Sequence, residues 1–453
     1  MDKINTIQKS YIKYIPYSGL GKWYVSYYLN PYIIESQYPL ISLKEVIEPL
    51  QERIKKDDYT GELQVVSKIS FNDGRIHLRN ENKTGMDLYV MPVNQLLVSK
   101  INFHQGAVAI NEKSKLVCST HYQPYKIKHK RINGKYLVRV LRSDGFLNFI
   151  KYLRADGIKN EATYEFIGQL KIPLPQLAEQ IRLVNSYNKR IMLAEKQERE
   201  ANQIEKNIEN YLLDTLGIKK LDKKESKKGL QFVRFNIIER WAVDFLNKEA
   251  LISALLKGKY KIIKLREFIN LYQYGLSEKS SKEIVGIPML RMNNINNSRL
   301  SIEKLKYISI SEDEEEKYRL NKGDLLFNRT NSKELVGKTA VFNENEDYTF
   351  ASYLIRVVVD KEKANVNYIN YLFNSPLLQY QKDMVSRQIT GQANINAQEM
   401  QEFLFPLPPL HIQNEIANNI DNMNGKINTL RLQAKENREL AIEEFEKEIF
   451  QWK

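Results

Sequence analysis

Two stretches of the chain carry apolar residues at helical spacing against a charged and amide-rich background. In the first, Val184, Tyr187, Ile191, Ala194, Ala201, Ile204, Ile208 and Tyr211 fall at steps of three, four or seven. In the second, Ile416, Ile420, Met423, Ile427, Leu430, Ala434, Asn437 and Ala441 do the same, and Phe445 follows four on. Such steps put side chains on one stripe of an α-helix, and a mean near 3.5 residues is the pattern of helices packed lengthwise on a partner. The spacing predicts helices over Leu177–Leu213 and Leu410–Ile449, 37 and 40 residues long. At about 1.5 Å per residue each would be a rod of roughly 55 to 60 Å. A lone rod would leave its seam in water, so the two are expected to pair, antiparallel, with each helix packing on its own globular segment as the alternative. Asn437 within the stripe is a candidate register-setting polar position, or else an exposed amide at a frayed end.

A proline-rich segment precedes each stripe, and the two are copies. Residues 172–180 read IPLPQLAEQ and residues 405–413 read FPLPPLHIQ, so that Pro173, Pro175, Leu177 and Gln180 lie 233 positions before Pro406, Pro408, Leu410 and Gln413. Alternating prolines force an extended path and cannot continue a helix. Upstream, YPLISLKEVIE from Tyr38 matches YKIIKLREFIN from Tyr260 at an offset of 222, and Lys22-Trp23 faces Arg240-Trp241 at 218. The chain is therefore a duplication whose second copy has gained about fifteen residues, as loops tolerate.

Between these landmarks, alternating and short apolar blocks separated by turn residues read as strands: Leu63–Ile69, Leu96–Ile101 and Val108–Ile110, then Met289–Met292, Asp324–Asn328 and Thr339–Phe342. Gly74, Gly106, Gly323 and Gly337 stand at the breaks, and short helices are expected over Phe146–Leu153 and Tyr368–Gln381. No regular strand–helix alternation marks a Rossmann-type sheet. The predicted fold is α+β: two similar mixed α/β domains, residues 1–175 and 226–408, joined by two long antiparallel, coiled-coil-like helices within 176–225 and 409–453, related by a pseudo-twofold duplication.

Composition narrows the partner. Among 453 residues the formal net charge is +14, which favours a polyanion and above all nucleic acid, although Lys-heavy chains that bind nothing anionic are also common. No apolar run is long enough to span a membrane, and Met1, Asp2, Lys3, Asn5 and Gln8 lead without an apolar signal core, so a cytoplasmic location is expected. One cysteine, Cys118, excludes a disulfide framework.

The LPQL and LPPL segments before long helices, the basic-Trp pairs, GDLLFNR at Gly323–Arg329, GKTAVF at Gly337–Phe342 and GQANI at Gly391–Ile395 together resemble the specificity subunit of type I restriction-modification systems. The resemblance covers nearly the whole chain. The first copy departs from it, with LLVSKINFHQGAVAI from Leu96 where the second has LLFNRTN, and without a GQANI segment. The resemblance implies two target-recognition domains, each reading one half of an interrupted site on double-stranded DNA. It implies a helical rod that fixes the gap and docks two methyltransferase (modification) subunits, which bring S-adenosylmethionine and adenine methylation; this chain would carry no cofactor. Restriction/translocase subunits, where present, would join them in a prokaryotic cytoplasm.

Base reading needs side chains that reach base edges, and affinity needs cations on phosphates. In the second copy Asn328, Arg329, Asn331 and Lys333 follow a predicted strand in a polar loop; Arg grips guanine bidentately and Asn grips adenine. The competing reading has Asn328 capping a turn and Arg329 paired with Glu334. Arg291, Asn293 and Asn294 are further candidates, as are Gln392 and Asn394 beside Gly391. In the first copy Lys100, Asn102, His104 and Gln105 hold the equivalent loop. Lys126, Lys128, Lys130 and Arg131, interleaved with Tyr122 and Tyr125, suit phosphates if Lys126-Ile127-Lys128 is a half-buried strand with a cationic face.

Catalytic patterns fail. Val336-Gly337-Lys338-Thr339 ends like a phosphate loop, but Ser332 stands where its first glycine belongs and a strand follows. The five histidines lack metal-pair spacing, and Glu312–Glu316 reads as a solvated helix start. No methyltransferase signature is present, so the chain is expected to be non-catalytic. A coiled-coil scaffold, or a DNA nuclease or methyltransferase with an unrecognised site, are the alternatives.

Overall fold

A computed structural model describes residues 34–153, 162–219, 255, 257–296, 298–389 and 392–451. The pairs Lys22-Trp23 and Arg240-Trp241, Gly391 and the expected boundary at 225/226 lie outside the described residues. The chain divides into two compact units, residues 1–198 with 432–453, and residues 199–431.

The first unit is built on an antiparallel sheet in the order Ile47–Pro49, Tyr122–Ile127, Leu96–Ser99, Val108–Ile110. All four side chains of Leu96–Ser99 are buried, because both faces of that strand are covered. Leu96 and Val98 join Tyr125, Ile127 and the helix Gly134–Arg142 in the main core, while Leu97 packs with Tyr89, Met91 and Leu116 of a second, three-stranded sheet. Asn133 caps the helix, its side chain accepting from Tyr136 N at 3.1 Å, and buried Tyr136, Leu137, Val140 and Leu141 keep helical spacing against the core.

The second unit repeats this frame in the order Ile269–Tyr274, Leu354–Val359, Leu325–Asn328, Thr339–Val341. Its capping residue is Asn365, which accepts from Tyr368 N at 3.0 Å. The proline segments are alike in detail. Lys171–Pro173 pairs with Leu40–Ser42, and Leu404–Pro406 pairs with Ile262–Lys264. Tyr136 Oη donates to the Pro173 carbonyl at 2.9 Å, and Tyr368 Oη to that of Pro406 at 2.7 Å. Buried Gln180 accepts from Asn133 N (2.7 Å) and donates to the Pro175 and Arg131 carbonyls (2.8 and 3.3 Å). Gln413 does the same with Asn365 N (2.9 Å), Pro408 (2.8 Å) and Lys363 (3.1 Å). Each buried amide thus satisfies an extended segment that has lost prolyl N–H donors.

The long helices run Leu177–Leu216 and Leu410–Ile449, the first three residues past its predicted end. Their predicted seam is the buried one: Val184, Ala194, Ala201, Ile416, Ile420, Ile427, Leu430, Ala434, Ala441 and Phe445 are all buried. In the first unit the helices lie antiparallel, joined by ion pairs Arg182–Glu448, Arg190–Glu444 and Arg438–Glu198. Asn437 lies in this seam and bridges it, donating to Gln197 Oε1 at 3.1 Å and accepting from Arg190 at 3.4 Å. In the second unit Lys426–Glu200 and Arg431–Glu205 play the same part. The core of each unit takes in the start of one helix and the end of the other: Leu183 and Val184 with Phe445 and Ile449, and Ile416 and Ala417 with Leu212 and Leu216. These two sets exchange under the 233-residue offset, as expected of a duplicated chain.

Several predicted elements shift. Tyr368–Gln381 is two helices, Val366–Phe373 and Pro376–Val385, because Pro376 starts a new helix and pulls Ser375 out of helical backbone. Phe146–Leu153 begins earlier, as Asp144–Leu153, and the helices Gly134–Arg142 and Tyr164–Gln169 were not anticipated. Leu63–Ile69 and Leu96–Ile101 shorten to Val66–Ile69 and Leu96–Ser99, and Met289–Met292 becomes a strand, Ile287–Leu290, followed by a 3-10 turn. Glu312–Tyr318 is a helix capped by Ser311, as its acidic first turn implies.

Candidate nucleic-acid interface

In the second unit the strand Leu325–Asn328 delivers the chain directly into the candidate reading loop. Asn328 is buried, its N–H bonded to the Lys338 carbonyl at 2.9 Å and its carbonyl accepting from Gly337 N at 2.7 Å. Beyond it Thr330–Asn331 pairs with Gln392–Asn394, which pairs in turn with Arg387–Ile389. Two runs about sixty residues apart in sequence, Asn328–Lys333 and Gln392–Asn394, are therefore brought into one small sheet.

Arg329 is held there by both a ring and an amide. Its guanidinium lies 4.8 Å from the centre of the Tyr274 ring and donates to Asn394 Oδ1 at 3.5 Å, while its buried Nε has no hydrogen-bond partner. Tyr274 is fixed from behind, its hydroxyl accepting from Ala397 N at 2.9 Å. A planar guanidinium stacked on an aromatic face and left with unspent donors is prepared for a planar, acceptor-rich partner. The alternative partner, Glu334, is engaged by its own backbone amide and by Ser332, which hold its carboxyl below the usual range. Asn331 accepts from Ser332 N at 2.9 Å, Lys333 is exposed, and Gln392 is exposed at the sheet's middle strand. Tyr274 was invisible as a site residue in the sequence, because only strand pairing sets it under Arg329.

Arg291, Asn293 and Asn294 lie in a 3-10 turn after a strand of a different sheet. Asn294 is buried and spent on that turn, accepting from Arg291 N and donating to the Ser301 carbonyl, both at 2.9 Å. Arg291 is half-buried with its Nε unpartnered, and Asn293 is exposed.

In the first unit Lys100, Asn102, His104 and Gln105 follow Leu96–Ser99, the strand equivalent to Leu325–Asn328. Lys100 stands over the Tyr89 ring at 5.6 Å, Asn102 and His104 are half-buried, and Gln105 is exposed on a 3-10 turn closed by Gly106 at φ 81°. The basic run lies elsewhere. Tyr122 pairs with Ser99 beside Lys100, whereas Ile127 pairs with Ile47 at the far end of the same six-residue strand. Lys126 is exposed opposite Glu48, but Lys128 is past the strand and paired with Glu48 at 2.9 Å. Arg131 pairs with Glu45 at 3.4 Å, and Lys130 is exposed. Lys128 holds the Glu48 carboxyl below its usual range, so half of the run is already compensated within the unit.

Gly337-Lys338-Thr339 is a turn into the strand Thr339–Val341, with Thr339 buried and its Oγ1 bonded to Asn370 Oδ1 at 2.8 Å. Behind Gly337 lies Lys382, 1% exposed, whose Nζ donates to the Phe373 carbonyl at 2.5 Å. Burial, reinforced by nearby Lys338, lowers its pKa to about 7. Burial also pushes the Cys118 thiol up to about 12, which makes it a poor nucleophile. Among the described residues no group of His, Cys, Asp and Glu is placed to hold a metal ion, and no helix is long and apolar enough to cross a membrane.

The sequence and the fold match known proteins. The family model "Type I restriction modification DNA specificity domain" matches residues 257–440. Over 395 residues the chain is 24% identical to the type I restriction enzyme EcoKI specificity subunit of Escherichia coli, covering 83% of this chain and 78% of that one. The chain belongs to the type I restriction-modification specificity subunit family. Another such subunit, StySPI of Salmonella potsdam, is 24% identical over 380 residues, 79% of this chain and 76% of its own length. A putative specificity subunit of Methanocaldococcus jannaschii, MjaX, is 29% identical over 174 residues, a match spanning 37% of this chain and only 41% of the archaeal protein. A chain solved in work on complex assembly and conformational transition of the type I R-M system shares the fold, with a TM-score of 0.57 and 17% identity over 92% of this chain and 99% of that one. Specificity subunits serve DNA recognition in these systems and are themselves non-catalytic, carrying no cofactor.

Proposed function

We propose that this specificity subunit is a bipartite DNA reader in which residues 1–175 and 226–408 each recognise one half of an asymmetric, interrupted site, while the helices within 176–225 and 409–453 fix the gap. The observation that carries the reading is the repeated frame: in both units the same strand, Leu96–Ser99 or Leu325–Asn328, opens into a polar turn rich in Lys, Arg, Asn and Gln. Arg329, Asn331, Lys333, Gln392 and Asn394 form one reading set, and Lys100, Asn102, His104 and Gln105 the other. Lys126, Lys128, Lys130 and Arg131 contact phosphates near the helix start. Arg291 and Asn293 flank the second set, and Asn294 and Asn328 support it from within.

Two methyltransferase subunits dock on the helices and supply S-adenosylmethionine, and restriction/translocase subunits join where the system has them, in a prokaryotic cytoplasm. Exposed Met192, Leu193 and Leu432 on the outer helix surface support such docking. Selection of random duplex DNA by the full-length chain tests the reading. A two-part consensus with a constant gap is expected, and a single contiguous consensus or salt-independent absence of binding contradicts it.

A further inference from the structure

The helix Gly134–Arg142 ends on a side chain that touches two loops at once. Arg142 donates to the Phe71 carbonyl at 2.9 Å, to that of Ser70 at 3.4 Å, and to that of Gly106. The first two belong to the turn between strands Val66–Ile69 and Ile76–Leu78, and the third closes the turn that carries Asn102, His104 and Gln105. Both turns are glycine turns in the left-handed region, Gly74 at φ 73° and Gly106 at φ 81°, and both glycines face the guanidinium. A Cβ at Gly74 would come within 3.0 Å of it, and one at Gly106 within 3.7 Å. The guanidinium answers carbonyls, in a geometry that a lysine ammonium cannot cover.

Between the two turns lies a cleft of about 260 Å³, lined by Lys68, Asn72 and His77 from the hairpin, by Ser99 and Tyr122 from the sheet, and by Asn102 from the turn. Lys68, Asn72 and His77 are exposed, on a face that sequence reasoning did not single out. In the second unit the equivalent position, 232 residues on, is Asn374. It too is a hub at the end of the matching helix, donating to the Thr339 carbonyl and Oγ1 at 3.0 and 2.9 Å where the reading loop returns to the sheet.

We propose that the hairpin Val66–Leu78 and the turn Asn102–Gly106 form one DNA-contacting surface in the first unit, with Lys68, Asn72 and His77 as additional contacts and Arg142 as the positioning residue that couples the two loops. This rests on the bipartite-reader assignment and deepens it. Arg142 touches no DNA; it sets the distance between two loops that do.

The test uses the full-length chain, random duplex selection, and each half-site as the control for the other. The half-site that Arg329→Ala leaves intact belongs to the first unit. In Arg142→Lys its base preference is expected to fall about tenfold, within the range of one lost bidentate contact, with the other half-site unchanged. Unchanged preference at both half-sites, or equal loss at both, overturns the proposal, and so does weaker binding at the first half-site with its base preference kept, which is all that a merely structural weakening of that unit would give. Should Arg142→Lys fail to fold, the surface variant Lys68→Ala/Asn72→Ala decides: about tenfold weaker binding confined to the first half-site supports the proposal, and wild-type binding overturns it. If wild-type protein selects no two-part site, the bipartite reading itself has failed, and this inference with it.

Discussion

The two units keep the same frame and differ in what they hang on it. Gln180 and Gln413, Tyr136 and Tyr368, and Asn133 and Asn365 make the same hydrogen bonds at nearly the same offset, and each set ties a sheet and a capped helix to the root of a long helix. The loops at the other end have diverged. Where the first unit clamps a hairpin with Arg142, the second stitches Thr330–Asn331 to Gln392–Asn394 and stacks Arg329 on Tyr274. The offset between copies is 222 at the first paired strand and 229 by Leu96 and Leu325, so seven of the gained residues fall between Ile47 and Leu96, away from the helix roots. The duplicated frame is held constant where each unit packs on its long helices, and it has varied in the loops away from those roots.

The frame offers the strongest way to break this comparison. Gln180→Leu and Gln413→Leu each orphan one buried backbone donor and two carbonyls, and should each cost about 3 kcal/mol in the unit concerned, at about 1 kcal/mol or more per group. Urea unfolding that shows a large loss for one and little for the other would mean the frames are not equivalent. The loops come next. Arg329→Ala should remove about 1 to 3 kcal/mol of discrimination at one half-site and leave the other alone. Random-sequence selection reads this directly, and loss at both halves would refute the division of labour.

A subtler difference is Lys382, which stands where the first unit has Ile150, 232 residues earlier. Its folded pKa of about 7 lies below the ordinary lysine value, so the unfolded chain binds the extra proton between the two. Stability of the second unit should therefore be lowest below pH 7 and should rise as pH increases from about 7 towards about 10. Lys382→Met should raise the melting temperature at neutral pH and flatten that rise; a variant melting lower at every pH would show that the bond to Phe373 outweighs the burial of charge. The smallest effect is expected on the rods. Arg431→Ala removes an exposed pair with Glu205 and should cost under about 1 kcal/mol, less still in high salt, by thermal denaturation.

The helix seams were legible because a stripe of buried side chains leaves its period in the sequence, and the proline segments because prolines at fixed spacing do the same. Gly134–Arg142 escaped notice because Tyr136, Val138 and Val140 read as β-formers, and burial against the sheet overrode that preference. The broken helix at Pro376 was signalled by its proline, but the apolar residues on either side ran on without a gap. Of the candidate loops, the place after a strand was legible and the partnership was not. Nothing local tells that Asn394 will lie beside Thr330, or that Tyr274 will lie under Arg329, since both follow from pairing of distant strands. The basic run from Lys126 to Arg131 misled in the same way, because Glu45 and Glu48, which answer it, come from the start of the domain.

The rods invite the most direct measurement. Removing one heptad from both helices, residues 195–201 and their antiparallel counterpart 434–440, shortens the pair by roughly 10 Å at about 1.5 Å per residue, or about 3 base pairs at roughly 3.4 Å each, and keeps each seam in phase. Selection of random DNA by this deletion should return both half-sites unchanged with a gap shorter by about 3 base pairs. Half-sites preserved at the original gap would contradict the account, because the spacing would then be set by something other than the paired helices.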